Sequence, residues 1–240
     1  MEIKPYNETG NKKAQVEEMF DNIAPSYDLL NRVLTIGIDT IWRKKAIRTI
    51  KNINPSRLLD IATGTADVAI EAFKYINPEH ITGIDISQEM LDVGQKKIEK
   101  KGLKDKITLK KDDSEDLSFN DNTFDVATAS FGVRNFGDLD KGLMEINRVL
   151  KPGGQFVVLE FTKPTVFPFK QLFNIYFKYI LPVIGKFKSK DSRAYEYLYE
   201  SVQAFPDYDL FLTRMRSAGF KDCTYKKLSL GICAIYQGFK

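Results

Sequence analysis

The spacing of apolar residues changes several times along the chain. VEEMFDNIAPSYDLLNRVLT (16–35) has apolar positions at helical intervals, broken by Pro25, and IDTIWRKKAIRTI (38–50) repeats the pattern, so the first fifty residues are expected to be helical. Short apolar runs follow. SRLLDIA (56–62), HITGID (80–85), KITLKKD (106–112), FDVATASF (124–131) and GQFVVLEF (154–161) predict strands. Between them, ADVAIEAFKYI (66–76), SQEMLDVGQKKIEKKG (87–102) and DLDKGLMEINRVL (138–150) have helical spacing, the second with a Ser N-cap and a Gly stop. Apolar runs without strict alternation fit strands covered on both faces, and strands joined by helices lie parallel; together they predict a doubly wound α/β sheet.

After Phe161 the rhythm breaks. From Thr162 to about Ala218 the chain reads as helices, and half of its Phe and Tyr residues fall between 161 and 211. Rings alternate with Lys or Glu in FKQLFNIYFKYI and AYEYLYE, which predicts a wall facing something apolar rather than core alone. KDCTYKKLSL and GICAIYQGF predict an antiparallel hairpin that turns at Gly231 and closes one edge of the sheet.

Composition narrows the class. A chain of 240 residues fits one α/β domain with an elaboration, and 43% apolar and 28% charged residues are globular values. The formal charge of +4 is mild, with acidic residues scattered among the lysines, which argues against a nucleic-acid groove and permits weak attraction to an anionic membrane surface. Cys223 and Cys233, with no second pair or nearby histidine, predict buried free thiols rather than a zinc site, so no metal is expected. A polar N-terminus, MEIKPYNETGNKK, and an apolar stretch near 166–187 interrupted by Lys170, Lys178 and Pro182 predict neither a signal peptide nor a spanning helix, and the expected location is cytoplasmic.

Candidate chemistry gathers at the carboxyl ends of the predicted strands, where ligands of doubly wound sheets bind. The first loop, DIATGTAD (60–67), has one glycine, Gly64, between Thr63 and Thr65, instead of the three that a pyrophosphate needs, and it carries Asp60 and Asp67. Acidic groups there suit a cationic nucleoside without phosphate, such as S-adenosylmethionine. Asp85 ends the second strand, where a carboxylate can accept both ribose hydroxyls. Asp112 and Asp113, ahead of Ser114, end the third, within reach of an adenine edge. FDVATASFGVRNF (124–136) places Ser130, Arg134 and Asn135 where the fourth strand surfaces.

With these residues in view the chain resembles the class I S-adenosylmethionine-dependent methyltransferases, and more closely the ubiquinone/menaquinone biosynthesis C-methyltransferase family, over nearly its whole length. RVLKPGGQFVVLEFT (148–162) is similar to the family's second signature, with Thr162 in place of the usual Ser. YDLLNRVLTIGIDTIW (27–42) is similar to the first, with Leu30 for Met, Thr35 for Ser and Asp39 for His. Losing that His argues against a base at this position, and His80, the only histidine, begins a strand on the wrong side of the sheet. SFGVRN (130–135) is the most specific short match.

The resemblance implies a Rossmann-like, mostly parallel seven-stranded sheet with an antiparallel C-terminal hairpin and a helical insertion before it. It implies a single domain built from an N-terminal helical lid (1–50), a cofactor-binding core (51–161), an aromatic acceptor region (162–218) and the hairpin (219–240). The implied cofactor is S-adenosylmethionine, held by Gly64, Thr65, Asp85, Asp113, Ser114 and Ser130. The implied reaction is C-methylation of a polyprenyl quinol, demethylmenaquinol first and the ubiquinol precursor as the alternative. Carbon becomes nucleophilic when the neighbouring hydroxyl, with a pKa of about 10 like Tyr, loses its proton. Arg134 is expected to stabilise that phenolate, Asn135 to orient the ring oxygen, and Tyr27 to bind the quinol or relay its proton. Lys170, Lys178, Lys186, Lys188 and Lys190 would rim the acceptor trough and favour peripheral membrane contact. Competing readings are another small-molecule acceptor, a non-catalytic quinone or lipid carrier, and an NAD oxidoreductase, the last disfavoured by the missing glycines.

Overall fold

The computed structural model describes residues 3–6, 9–51, 54–176, 179 and 193–240. Seven strands, β1 (Arg57–Ile61), β2 (His80–Asp85), β3 (Ile107–Lys111), β4 (Phe124–Ser130), β5 (Leu150–Phe161), β6 (Lys221–Leu228) and β7 (Cys233–Phe239), form one sheet. Their spatial order is β3-β2-β1-β4-β5-β7-β6. The first five run parallel, and β7 is antiparallel to both β5 and β6. Strand order reverses between β1 and β4, so the crevice above their carboxyl ends is the expected ligand position.

Both faces of the sheet are covered. Leu58, Val126, Val157 and Leu159 pack on one side, while Leu59, Ala127, Phe156 and Val158 pack on the other. That two-sided burial is why the central strands read as continuous apolar runs. Helices α1 (Lys12–Ile23), α2 (Tyr27–Leu34), α3 (Ile38–Ile47), α4 (Asp67–Ile76), α5 (Gln88–Lys100) and α6 (Leu139–Val149) precede β5. The Ser87 hydroxyl accepts from the Met90 amide to start α5, and the Asp138 carboxylate accepts from the Lys141 amide to start α6.

Two expectations change. KPGG does not simply precede β5: Phe124 pairs with Leu150 and Val126 with Gln155, so Lys151–Gly154 form an insertion within the strand. Gly153, at φ +78°, permits it, and its amide donates to the Lys240 carbonyl. Nor is the chain helical from Thr162. Among the described residues of this region the helices are α7 (Phe169–Ile175), α8 (Arg193–Ala204) and α9 (Asp209–Ser217). Cys223 and Cys233 are buried free thiols. His80 opens β2 at the end of the sheet remote from the crevice.

The candidate functional site

Two loops meet at the strand-order switch. After β1, Ala62, Gly64 and Ala66 have φ of +50°, +54° and +64°, and after β4 Phe131 has φ +59°. Left-handed backbone at non-glycine residues costs roughly 1–2 kcal/mol each, and it concentrates where function demands an unusual chain path. The loops also touch: a Cβ on Gly132 would lie 2.5 Å from that of Ala62. Glycine is therefore required there for the crevice to form.

The first cavity lies in this crevice. It is lined by Tyr27, Gly64, Asp85, Asp113, Ser114, Ser130 and Asn135, seven of the nine residues singled out from the sequence. Asp85 accepts from the Gly64 amide at 2.8 Å and from the Ser87 amide at 3.0 Å, which ties the ends of β1 and β2 together. Burial pushes its carboxyl up to about 6, against the lowering effect of those amides. The Asn135 Oδ1 atom is buried without a hydrogen-bond partner. Among the described residues of this cavity, Asp85, Asp112, Asp113 and Glu115 face one cation, Lys13, which lies 2.5 Å from Asp113 and 3.1 Å from Glu115.

The two carboxylates first suspected in the β1 loop do other work. Asp60, 1% exposed, is turned beneath the loop and accepts from the hydroxyls of Thr63 and Thr128, both at 2.6 Å; burial raises its pKa to about 6. Asp67 pairs with Arg43 and Lys97, whose charges hold its pKa down against burial. Thr65 also points away from the cavity: its hydroxyl donates to Asp28 at 2.6 Å and accepts from Lys97 at 2.8 Å. The acidity of the site comes instead from the ends of β2 and β3.

Helix α1 roofs this cavity with Lys13, Val16 and Phe20. Lys12 donates to the Phe136 carbonyl at 2.6 Å, Glu17 pairs with Lys111 at 2.6 Å, and Asp21 accepts from the Ser87 hydroxyl at 2.6 Å. These pairs span as many as 124 residues of sequence, and no local signal marks them.

A second cavity of about 370 Å³ adjoins the first, with Phe20, Tyr27 and Phe131 in the wall of both. Its lining is mostly apolar and includes Leu30, Trp42, Phe161, Phe169, Phe173 and Tyr176. The aromatic region thus divides. Rings of α7 and α8 line the cavity, whereas Phe205, Tyr208 and Phe211 belong to the core beside the sheet. Lys170 is exposed; Lys178, Lys186, Lys188 and Lys190 lie outside the described residues.

Arg134 and Asn135 separate. Asn135 lines the first cavity and Arg134 the second. The Arg134 Nη1 donates to Glu160 at 2.8 Å and to the Phe131 carbonyl, while its buried Nε has no hydrogen-bond partner. Glu160, 0% exposed, also accepts from the Phe161 amide at 2.9 Å; burial raises its pKa and the guanidinium opposes the rise. In the sequence Glu160 is one position within RVLKPGGQFVVLEFT, and nothing local marks it as the partner of Arg134. Burial raises the pKa of Tyr27, countered by Asn31 and the charges of Arg43 and Arg134.

A doubly wound sheet whose crevice is acidic, lacks a phosphate loop and opens onto an apolar cavity is the arrangement of a class I methyltransferase. Comparison with known proteins agrees. The ubiE/COQ5 methyltransferase family matches residues 8–240. A demethylmenaquinone methyltransferase of Bacteroides fragilis is 49% identical over 238 residues, covering 99% of this chain and 97% of that protein. A ubiquinone/menaquinone biosynthesis C-methyltransferase of Geotalea daltonii is 46% identical, covering 95% and 97%. Among solved structures, a SAM-dependent methyltransferase of Thermotoga maritima superposes with a TM-score of 0.66 at 16% identity, over 93% of this chain and 99% of that one. The chain belongs to the ubiE/COQ5 methyltransferase family.

The cofactor is S-adenosylmethionine, and the crevice fits it chemically. Its acidic lining matches a cationic ligand, and the unpartnered Asn135 oxygen is an acceptor available to the ligand's positive end.

Proposed function

We propose that this protein methylates a ring carbon of a polyprenyl quinol, with demethylmenaquinol as the acceptor. The observation that carries this reading is the shared wall of Phe20, Tyr27 and Phe131, which joins an acidic nucleoside crevice to an apolar cavity large enough for an aromatic ring. The names of the Bacteroides fragilis and Geotalea daltonii relatives support the same choice of acceptor.

Bound S-adenosylmethionine supplies an electrophilic methyl group on a sulfonium. Asp85 would take the ribose hydroxyls, Asp113 and Ser114 the adenine edge, and Gly64 would let the loop backbone approach. Ser130 and Asn135 would hold the remaining part, and Thr65 acts through Asp28, fixing α2 over the crevice. On the acceptor side the Arg134 Nε, which has no hydrogen-bond partner, would donate to the ring oxygen. A hydrogen bond from a guanidinium favours the phenolate, and the low polarity of the cavity strengthens it. Tyr27, neutral and at the junction, binds the quinol.

In domain terms, residues 1–50 serve as a lid over both cavities, 51–161 as the cofactor core, 162–218 as the acceptor wall and 219–240 as the closing hairpin. The apolar cavity is flanked by exposed side chains, Ile36 at 83% and Ile38 at 38%, suited to the surface of the cytoplasmic membrane where a prenyl tail resides. Among the described residues no helix is long and apolar enough to cross a membrane, so the proposed contact is peripheral. Flotation with anionic liposomes is expected to carry the protein upward; recovery equal to that of a non-binding control would remove the membrane part. For the reaction, mass spectrometry of quinones in cells lacking the protein is expected to show demethylmenaquinone accumulating. Accumulation of a ubiquinone precursor instead would reassign the acceptor, and an unchanged quinone pool would refute the proposal.

A further inference from the structure

The apolar cavity has a polar seam along its α2–α3 side. Tyr27, Asn31, Thr35, Asp39 and Arg43 follow at steps of four along α2 and α3, and all five line it. Residues four apart stack on one helix face, so the seam is continuous within each helix. It also survives the break at Gly37, φ +74°, because the Thr35 hydroxyl lies 2.7 Å from both the Asn31 carbonyl oxygen and the Asp39 Oδ1.

Asp39 is the one carboxylate among the described residues of this cavity, and it is 2% exposed. Burying a carboxylate beside Trp42 and Leu30 is costly unless it is compensated. Compensation here is partial. The Asp39 Oδ2 pairs with the Arg43 Nη1 at 3.0 Å, but that same nitrogen lies 3.0 Å from Asp67, which also holds Lys97 at 2.7 Å. Lys97 in turn pairs with Asp28 at 2.5 Å. Three carboxylates therefore share two cations, and each Asp39 oxygen keeps a lone pair after its present bond.

We infer that Asp39 is the general base for the acceptor, an inference that rests on the quinol-methylation reading above. The hydroxyl proton passes from the ring oxygen to an Asp39 carboxylate oxygen, leaving a phenolate beside Arg134. The carbon–methyl bond forms as the methyl–sulfur bond breaks, its electron pair staying on sulfur. The ring carbon then releases its own hydrogen to solvent as a proton, and Asp39 returns the first proton to the oxygen as the ring regains aromaticity. Asp39 stands where the resembling family usually has His, and this inference reverses the expectation that losing that His leaves no base at this position.

The test measures methyl transfer by wild type, Asp39→Asn and Asp39→His, using a short-chain demethylmenaquinol and a ring-fluorinated analogue with a more acidic hydroxyl. Asp39→Asn preserves shape and leaves Arg43 its partner Asp67, so the variant is expected to fold with a lowered melting temperature, to lose about a hundredfold in kcat and to keep its KM for S-adenosylmethionine. With the fluorinated acceptor the loss should shrink to less than about tenfold, because an acidic hydroxyl needs its base less. Asp39→His should recover most of the activity. A purely structural role predicts the same loss with both acceptors, and that result, or an Asp39→Asn enzyme within about threefold of wild type, overturns the inference alone. A wild type that methylates no quinol overturns the function and this inference together.

Discussion

Arg134→Ala is expected to lower turnover about a thousandfold while leaving affinity for S-adenosylmethionine within a few-fold of wild type. The guanidinium lines the acceptor cavity and not the crevice, so its loss should spare cofactor binding. A stabilisation of the phenolate by ~2 to 3 pKa units is worth roughly 3 to 4 kcal/mol, or about a hundredfold or more. The second contribution comes from Glu160. It lies 0% exposed against Arg134, and without the guanidinium that opposes the effect of burial its carboxyl is pushed toward the neutral form, so the ion pair that orders this wall is lost. Breaking a buried pair on one side also costs about 3–5 kcal/mol of stability, so the melting temperature should fall. The double variant Arg134→Ala with Glu160→Gln should regain stability but little turnover. Arg134→Lys keeps the charge, but one ammonium cannot replace both Nη1, which bonds Glu160 and Phe131, and the separate Nε donor, so it too should be slow. Steady-state kinetics beside thermal melts checks this, and near wild-type rates in both single variants would remove Arg134 from the chemistry.

Asp85→Ala is expected to weaken S-adenosylmethionine binding about a thousandfold. Two hydrogen bonds from ribose hydroxyls to a carboxylate, at about 2 kcal/mol each, account for about three decades. The amides of Gly64 and Ser87 lose their acceptor as well, so the β1 loop loosens. A pH dependence follows, because burial raises the Asp85 pKa to about 6. Only the ionised carboxylate accepts both hydroxyls, so affinity should be full above this value and fall as the pH drops through it. The stability contribution has the opposite sign. A carboxyl whose folded pKa exceeds its unfolded value of about 3.9 favours the fold below that value and loses its contribution as the pH rises through about 6. Titration calorimetry from pH 5 to 8 (about the range that brackets the carboxyl) should show the fall in wild type and its absence in Asp85→Asn. Binding by Asp85→Ala within about tenfold of wild type would contradict the assignment.

The parts of this protein that were legible in its sequence are those set by neighbours along the chain. Ser87 caps α5 because its hydroxyl reaches an amide three residues on, and the apolar run of β4 is buried because both sheet faces are covered. The places of Gly64, Asp85 and Asp113 follow from strand ends, which periodicity marks well. Side-chain direction at those ends does not follow. Asp60 is as acidic and as near the crevice in sequence as Asp85, yet it turns under the loop because Thr128, 68 residues away, offers it a hydroxyl. Glu160 and Arg134 meet across 26 residues, and Lys13 meets Asp113 across 100. Asp39 is the clearest instance: only when α2, α3, α7 and α8 enclose one cavity does a helical carboxylate become a group facing an acceptor.

Methyl transfer to a quinol ring carbon can be followed with purified protein, isotopically labelled S-adenosylmethionine and a short-chain demethylmenaquinol. The expected product carries the label in a methyl group on the ring carbon next to a hydroxyl, located by fragmentation, with S-adenosylhomocysteine formed in equal amount. Label on a ring oxygen, or none on the quinol under conditions where the cofactor binds, would contradict the account.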